Sequence, residues 1–97
     1  MVKLDLVDNP DGYFEIGSYY KVGPISSTLS LLGDNRQKST STEDLDLLFC
    51  IGYKKVTRTS YVPYDSLVPV FITEKGLCSW GTDHPGERFI KVEPKLE

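Results

Sequence analysis

The sequence predicts a mostly β fold in one small domain, and three observations carry that prediction. Alanine, the strongest intrinsic helix former, is absent from all 97 residues. Eight Val, five Ile, seven Thr, six Tyr, four Phe and one Trp fill 31 positions, and these residue types suit a pleated, half-buried surface. Short alternating segments recur between clusters of Gly, Pro, Asn and Asp.

Each element follows in order. Val2, Leu4 and Leu6 alternate with Lys3 and Asp5, the pattern of a short half-buried strand over 2–7. Asp8-Asn9-Pro10-Asp11-Gly12 breaks it with residues that each favour a turn. Residues 13–22 read as the cleanest strand, with Phe14, Ile16, Tyr20 and Val22 on one face and Tyr13, Glu15, Tyr19 and Lys21 on the other. Gly17 places a bulge or bend inside it. After Gly23-Pro24, Ile25, Leu29 and Leu31 alternate with Ser26, Thr28 and Ser30, a second strand of a meander. Residues 33–42 hold no apolar side chain and read as an exposed mobile loop.

The one expected helix covers about 41–51. Thr40 and Glu43 have capping-box spacing, Asp44 favours a first turn, and Leu45, Leu48 and Phe49 share a helical face ended by Gly52. The rival is a strand with Leu45, Leu47, Phe49 and Ile51 on one face; the cap favours the helix. Residues 53–62 are β-prone but poorly segregated, with Lys54, Val56, Arg58 and Ser60 opposite Tyr53, Lys55, Thr57 and Thr59. An edge strand or half of a protruding hairpin fits this, and Pro63 agrees. LVPVFIT at 67–73 is the most apolar run and reads as central. Glu74-Lys75-Gly76 turns the chain into a short strand at 77–80, 81–87 form a loop, and 88–92 close the sheet. The expected form is a curled sheet or an SH3-like or OB-like barrel of six or seven strands with one short helix. One domain spans 1–95, and Leu96-Glu97 match the remnant of a C-terminal tag.

Composition narrows function by exclusion. The net charge of −3 argues against general polyanion binding. No apolar run is long enough to span a membrane as a helix, and the first residues lack signal-peptide architecture. The expected compartment is the cytoplasm of the producing or host cell. Cys50 and Cys78 fall far short of a disulfide framework and read as two thiols.

Four constellations bear on chemistry. Cys78, Asp83 and His84, with Cys50 in reach, lack the paired spacing of zinc ligands, so no metal and no cofactor is expected. Cys78 with His84 is the one thiol–imidazole pair available, without an evident orienting group or oxyanion hole; no enzyme is expected. Tyr53, Lys54, Lys55, Arg58, Tyr61 and Tyr64 interleave rings with three cations and no acid between 53 and 64. That is the arrangement with which small barrels hold single-stranded nucleic acid, and Lys21 beside Tyr19 and Tyr20 would extend it. The same edge segment can instead serve a protein partner, because tyrosine offers a large amphipathic ring at low entropy cost. Tyr19, Tyr53, Lys54, Lys55, Arg58, Tyr61, Tyr64 and Trp80 are the candidate binding residues. The acidic balance favours a protein partner, and single-stranded nucleic acid is the alternative.

Overall fold

The computed structural model describes residues 5–32, 38–84 and 86–93. Seven strands form one antiparallel sheet curled into a half-barrel: β1 (Tyr19–Val22), β2 (Thr28–Leu31), β3 (Lys38–Ser41), β4 (Leu47–Arg58), β5 (Tyr64–Thr73), β6 (Gly76–Ser79) and β7 (Phe89–Val92). Their order across the sheet is β3-β2-β6-β5-β4-β1-β7. The mostly β expectation holds, with β5 central as its apolar run predicts.

The concave side holds the core. Phe14, Tyr20, Leu29, Leu48, Cys50, Tyr53, Phe71, Cys78 and Phe89 are buried together. Phe14 sets its ring edge against Tyr20, Phe71 and Phe89 at 5.2, 5.3 and 5.7 Å between centroids. Such pairs add ~0.5–1.5 kcal/mol each beyond the area they bury. Half-buried Trp80 closes this cluster, 5.3 Å from Phe89, with the Arg88 guanidinium 5.9 Å from its ring centroid.

Several local expectations are corrected. The helix over 41–51 shrinks to one 3-10 turn, Thr42–Asp44, capped by Ser41, whose Oγ accepts from the Glu43 amide at 3.3 Å. From Leu47 the chain is strand, with Leu48 and Cys50 inward and Leu47 and Phe49 outward. Leu45 is buried ahead of the strand. The strand expected over 13–22 begins only at Tyr19; Phe14 is buried from a turn, and Ile16 is exposed. Gly17 does take a positive φ of 90° at the bend. Ile25 lies outside β2 and is exposed. Of the loop expected over 33–42, residues 38–41 are an edge strand and 33–37 lie outside the described residues. Of the first expected strand, Val7 pairs with Tyr53 in an isolated bridge, and residues 1–4 lie outside the described residues, as do 94–97.

One irregularity organises β4. Its register against β5 slips between Cys50, opposite Phe71, and Gly52, opposite Val70. Ile51 is the unpaired extra residue, so inward positions change from even to odd and Tyr53 enters the core. Val68 and Val70 alternate with the inward Pro69 and Phe71, and they are buried on the opposite side. Leu6 covers that side at Gly52: a Cβ built there would lie 3.2 Å from it.

Candidate functional site: an uncovered sheet face and a protruding hairpin

Away from the core, an apolar row crosses five strands. Val92, Tyr19, Phe49, Ile72 and Leu77 are successive partners on β7, β1, β4, β5 and β6. Each alternates with an inward residue, so all five point outward. Ile90 and Leu47 flank Lys21 in the adjoining row. Leu47 and Ile72 are each 48% exposed, and Tyr19 and Ile90 are exposed too. The Tyr19 and Phe49 rings lie 4.9 Å apart, so the patch is pre-packed. A shallow open groove of about 380 Å³ runs between Tyr19, Leu47, Phe49 and Ile72. Asp46, Thr73 and Glu74 complete its lining, and the Asp46 amide donates to Glu74 Oε1 at 2.6 Å. This end of the patch is therefore acidic.

The second feature is the outer half of the β4–β5 hairpin. β1 pairs with β4 only at residues 47–49, and β6 pairs with β5 only at 70–73. Beyond Tyr53 and Pro69 the two strands continue as a ribbon to a loop at 59–63. Thr57 Oγ1 bonds Asp65 Oδ1 at 2.9 Å across the ribbon, and Arg58 Nη2 donates to the Gly81 carbonyl. Tyr61 at the tip is fully exposed, and Val62 and Tyr64 stand out beside it. These are the residues of the expected protruding hairpin.

The candidate binding residues divide accordingly. Tyr19 belongs to the apolar face, and Lys54, Lys55, Arg58, Tyr61 and Tyr64 to the hairpin. Lys54 and Arg58 share one face of the ribbon with Val68 and Tyr64, whereas Lys55 shares the other with Leu67. Trp80 is half-buried against Phe89. Tyr53 is corrected: at 0% exposure it is closed to any partner. Its hydroxyl accepts from the Phe14 amide at 2.9 Å, and both Asp83 Oδ1 at 2.8 Å and the Phe14 carbonyl at 3.0 Å lie in range of its proton. Asp83 also accepts from the Tyr13 amide and from Asn9 Nδ2. Tyr53 thus ties the 9–14 turn and the 81–84 loop to β4. Burial, then the hydrogen bond to Asp83, raises its pKa above the ordinary tyrosine value.

Cys78 and His84 have separate partners. The Cys78 thiol lies in the core, 3.5 Å from Thr73 Oγ1, while the exposed His84 ring sits 5.0 Å from the Tyr13 ring. Burial raises the pKa of both thiols, that of Cys50 to about 11. Among the described residues, no three His, Cys, Asp or Glu side chains group to hold a metal ion, and no helix is long and apolar enough to cross a membrane. Comparisons with protein-family models, curated proteins and solved structures find no match to this chain.

Reasoning from sequence missed the apolar face, apart from Tyr19. Its signal is the run Leu47-Leu48-Phe49-Cys50-Ile51, apolar at every position. A strand apolar on both sides of a one-layer sheet must either be covered twice or leave one side open.

Proposed function

We propose that this protein is a non-enzymatic binding domain whose partner is another protein, held on the outer face of β7, β1, β4 and β5. The observation that carries the reading is the contiguous uncovered patch of Tyr19, Leu47, Phe49, Ile72 and Ile90. Scattered exposed apolar residues are ordinary, but a contiguous patch on a rigid sheet is typical of an interaction surface. Asp46 and Glu74 at its end favour a partner that presents apolar or aromatic side chains beside a cation. The nucleic-acid alternative draws less support, because Tyr53 is buried and the three cations of 53–64 divide between two faces.

The test places a photo-crosslinking residue at Leu47 and, separately, at Ser26 in an exposed loop. The reading expects protein adducts from position 47 and none from 26. It also expects Leu47→Ser with Ile72→Ser to weaken the purified adduct partner at least about tenfold, the scale of one lost hot-spot contact. Equal adducts from both positions, or an unchanged affinity, would refute it.

A further inference from the structure

The chain's charge is segregated. Residues 53–64 carry Lys54, Lys55 and Arg58 with no acid; the net charge of the whole chain is −3, so the rest stands at −6. Two portions of the exposed apolar surface follow the same division. One portion, Tyr61, Val62 and Tyr64, sits at the tip of the cationic ribbon. The other, around Leu47 and Ile72, ends at Asp46 and Glu74. Asp65 on the ribbon and Lys21 on the face reduce the contrast without reversing it: three cations outnumber one acid on the first, and Asp46 and Glu74 outnumber one cation on the second.

Both lie on the same two strands, at opposite ends. Eleven residue steps separate Leu47 from Arg58 along β4, about 36 Å at ~3.3 Å per step. The longest dimension of the molecule is 48 Å. Arg58–Gly81 ties the ribbon to the loop after β6 and Thr57–Asp65 stiffens it across its two strands, so it does not fold back onto its own sheet face. A hairpin tip that fills the groove therefore comes from another molecule.

We infer that this other molecule is a second copy of the chain, whose hairpin tip docks on the acid-ended apolar face. This rests on the reading of that face as a protein-binding surface and names its occupant. In the contact, Tyr61, Val62 and Tyr64 lie against Leu47, Phe49 and Ile72, while Arg58, paired with Tyr64 on the same ribbon face, turns towards Asp46 and Glu74. The two surfaces differ, so the contact is heterologous. Each copy keeps one free tip and one free face, and growth continues head to tail until a ring closes or a filament extends.

A heterologous contact permits a complementation test by sedimentation and light scattering. Wild-type chain at rising concentration forms assemblies larger than a dimer. Tyr61→Ser with Tyr64→Ser disables the tip, and Leu47→Ser with Ile72→Ser disables the face; each variant alone is monomeric. Mixed together they form a one-to-one dimer and stop there, because one intact tip meets one intact face. That dimer also shows that both variants are folded. Wild-type chain that stays monomeric through the millimolar range overturns the inference. So does a tip variant that keeps the wild-type size, which would indicate face-to-face pairing, and so do monomeric variants whose mixture gives no dimer. A monomeric wild type that still forms a position-47 adduct with a different protein removes the second copy alone. Without any selective adduct, the protein-binding reading goes as well.

Discussion

Tyr53→Phe removes one oxygen atom, and the geometry sets its expected effect. The Phe14 amide, at a residue 1% exposed, loses the acceptor that it holds at 2.9 Å. A buried donor left without a partner costs ~1–3 kcal/mol. Asp83 loses a donor as well, but it is only half-buried and can recruit water, so its share is smaller. A loss of about 2–3 kcal/mol follows, which for a domain of this size lowers Tm by roughly 10–20 °C. Tyr20→Phe is the control. The Tyr20 hydroxyl accepts from the Glu15 amide at 2.7 Å, yet Glu15 is exposed and water can take over. Calorimetry and urea unfolding of both variants give the comparison. The reasoning fails if Tyr53→Phe lowers Tm by less than about 4 °C, the shift for roughly 1 kcal/mol, or if Tyr20→Phe is as damaging.

Further predictions concern packing, titration and the proposed surfaces. Gly12→Ala would set a Cβ 2.3 Å from Tyr53 Oη and 2.7 Å from Asn9 Nδ2; it should destabilise by about 1–3 kcal/mol in urea unfolding, as an overpacked site does. The folded Cys50 thiol holds its proton more tightly than the unfolded one, so its contribution is intact below about pH 9 and is lost as pH rises towards about 11. Urea midpoints measured across that window should decline less steeply in Cys50→Ala. Leu47→Ser with Ile72→Ser, at exposed positions, should change stability by no more than ~1 kcal/mol in denaturant titration, about ±0.5 for each site. If wild-type chain assembles through the contact inferred above, moderate salt should shrink the assemblies, because the attraction of Arg58 to Asp46 and Glu74 is screened. Light scattering over a salt series reads this directly.

The fold class was legible because strand-forming residue types and turn punctuation agreed nearly everywhere. β5, β6, β7 and the protruding hairpin lie where the alternation and the prolines placed them, whereas β2 keeps only Thr28–Leu31 of the expected 25–32 and pairs with β3 and β6 instead of continuing a meander from β1. The error at 41–51 has a physical cause. Leu47 through Ile51 is apolar at every position, because the outer side of β4 is apolar as well as the inner. A continuous run carries no period-two signal, and a helix with a plausible cap competes on equal terms. The bulge at Ile51 compounds this by moving the inward set from Cys50 to Tyr53. Tyr53 reads as a surface ring for the same reason: neighbouring Lys54 and Lys55 describe a wet ribbon, and only the slipped register puts the tyrosine inside. The hairpin tip was readable as exposed, since Tyr61, Val62 and Pro63 sit between β-prone stretches. The groove was not readable, since it depends on which strands are neighbours.

The contact between Arg58 and the Gly81 carbonyl has a thermodynamic meaning for recognition. It fixes the ribbon at its last paired residues, Arg58 and Tyr64, and leaves five residues, 59–63, outside the ladder. Ordering a backbone residue costs ~1–2 kcal/mol, so immobilising the tip on a partner costs at most about 5–10 kcal/mol. A ribbon free from Lys54 to Leu67 would lose nearly three times that. The arm is pre-organised, and most of the interaction energy of its few aromatic contacts remains available as affinity. Arg58→Ala would loosen that arm without touching its tip and would remove one of its cations, weakening capture through both.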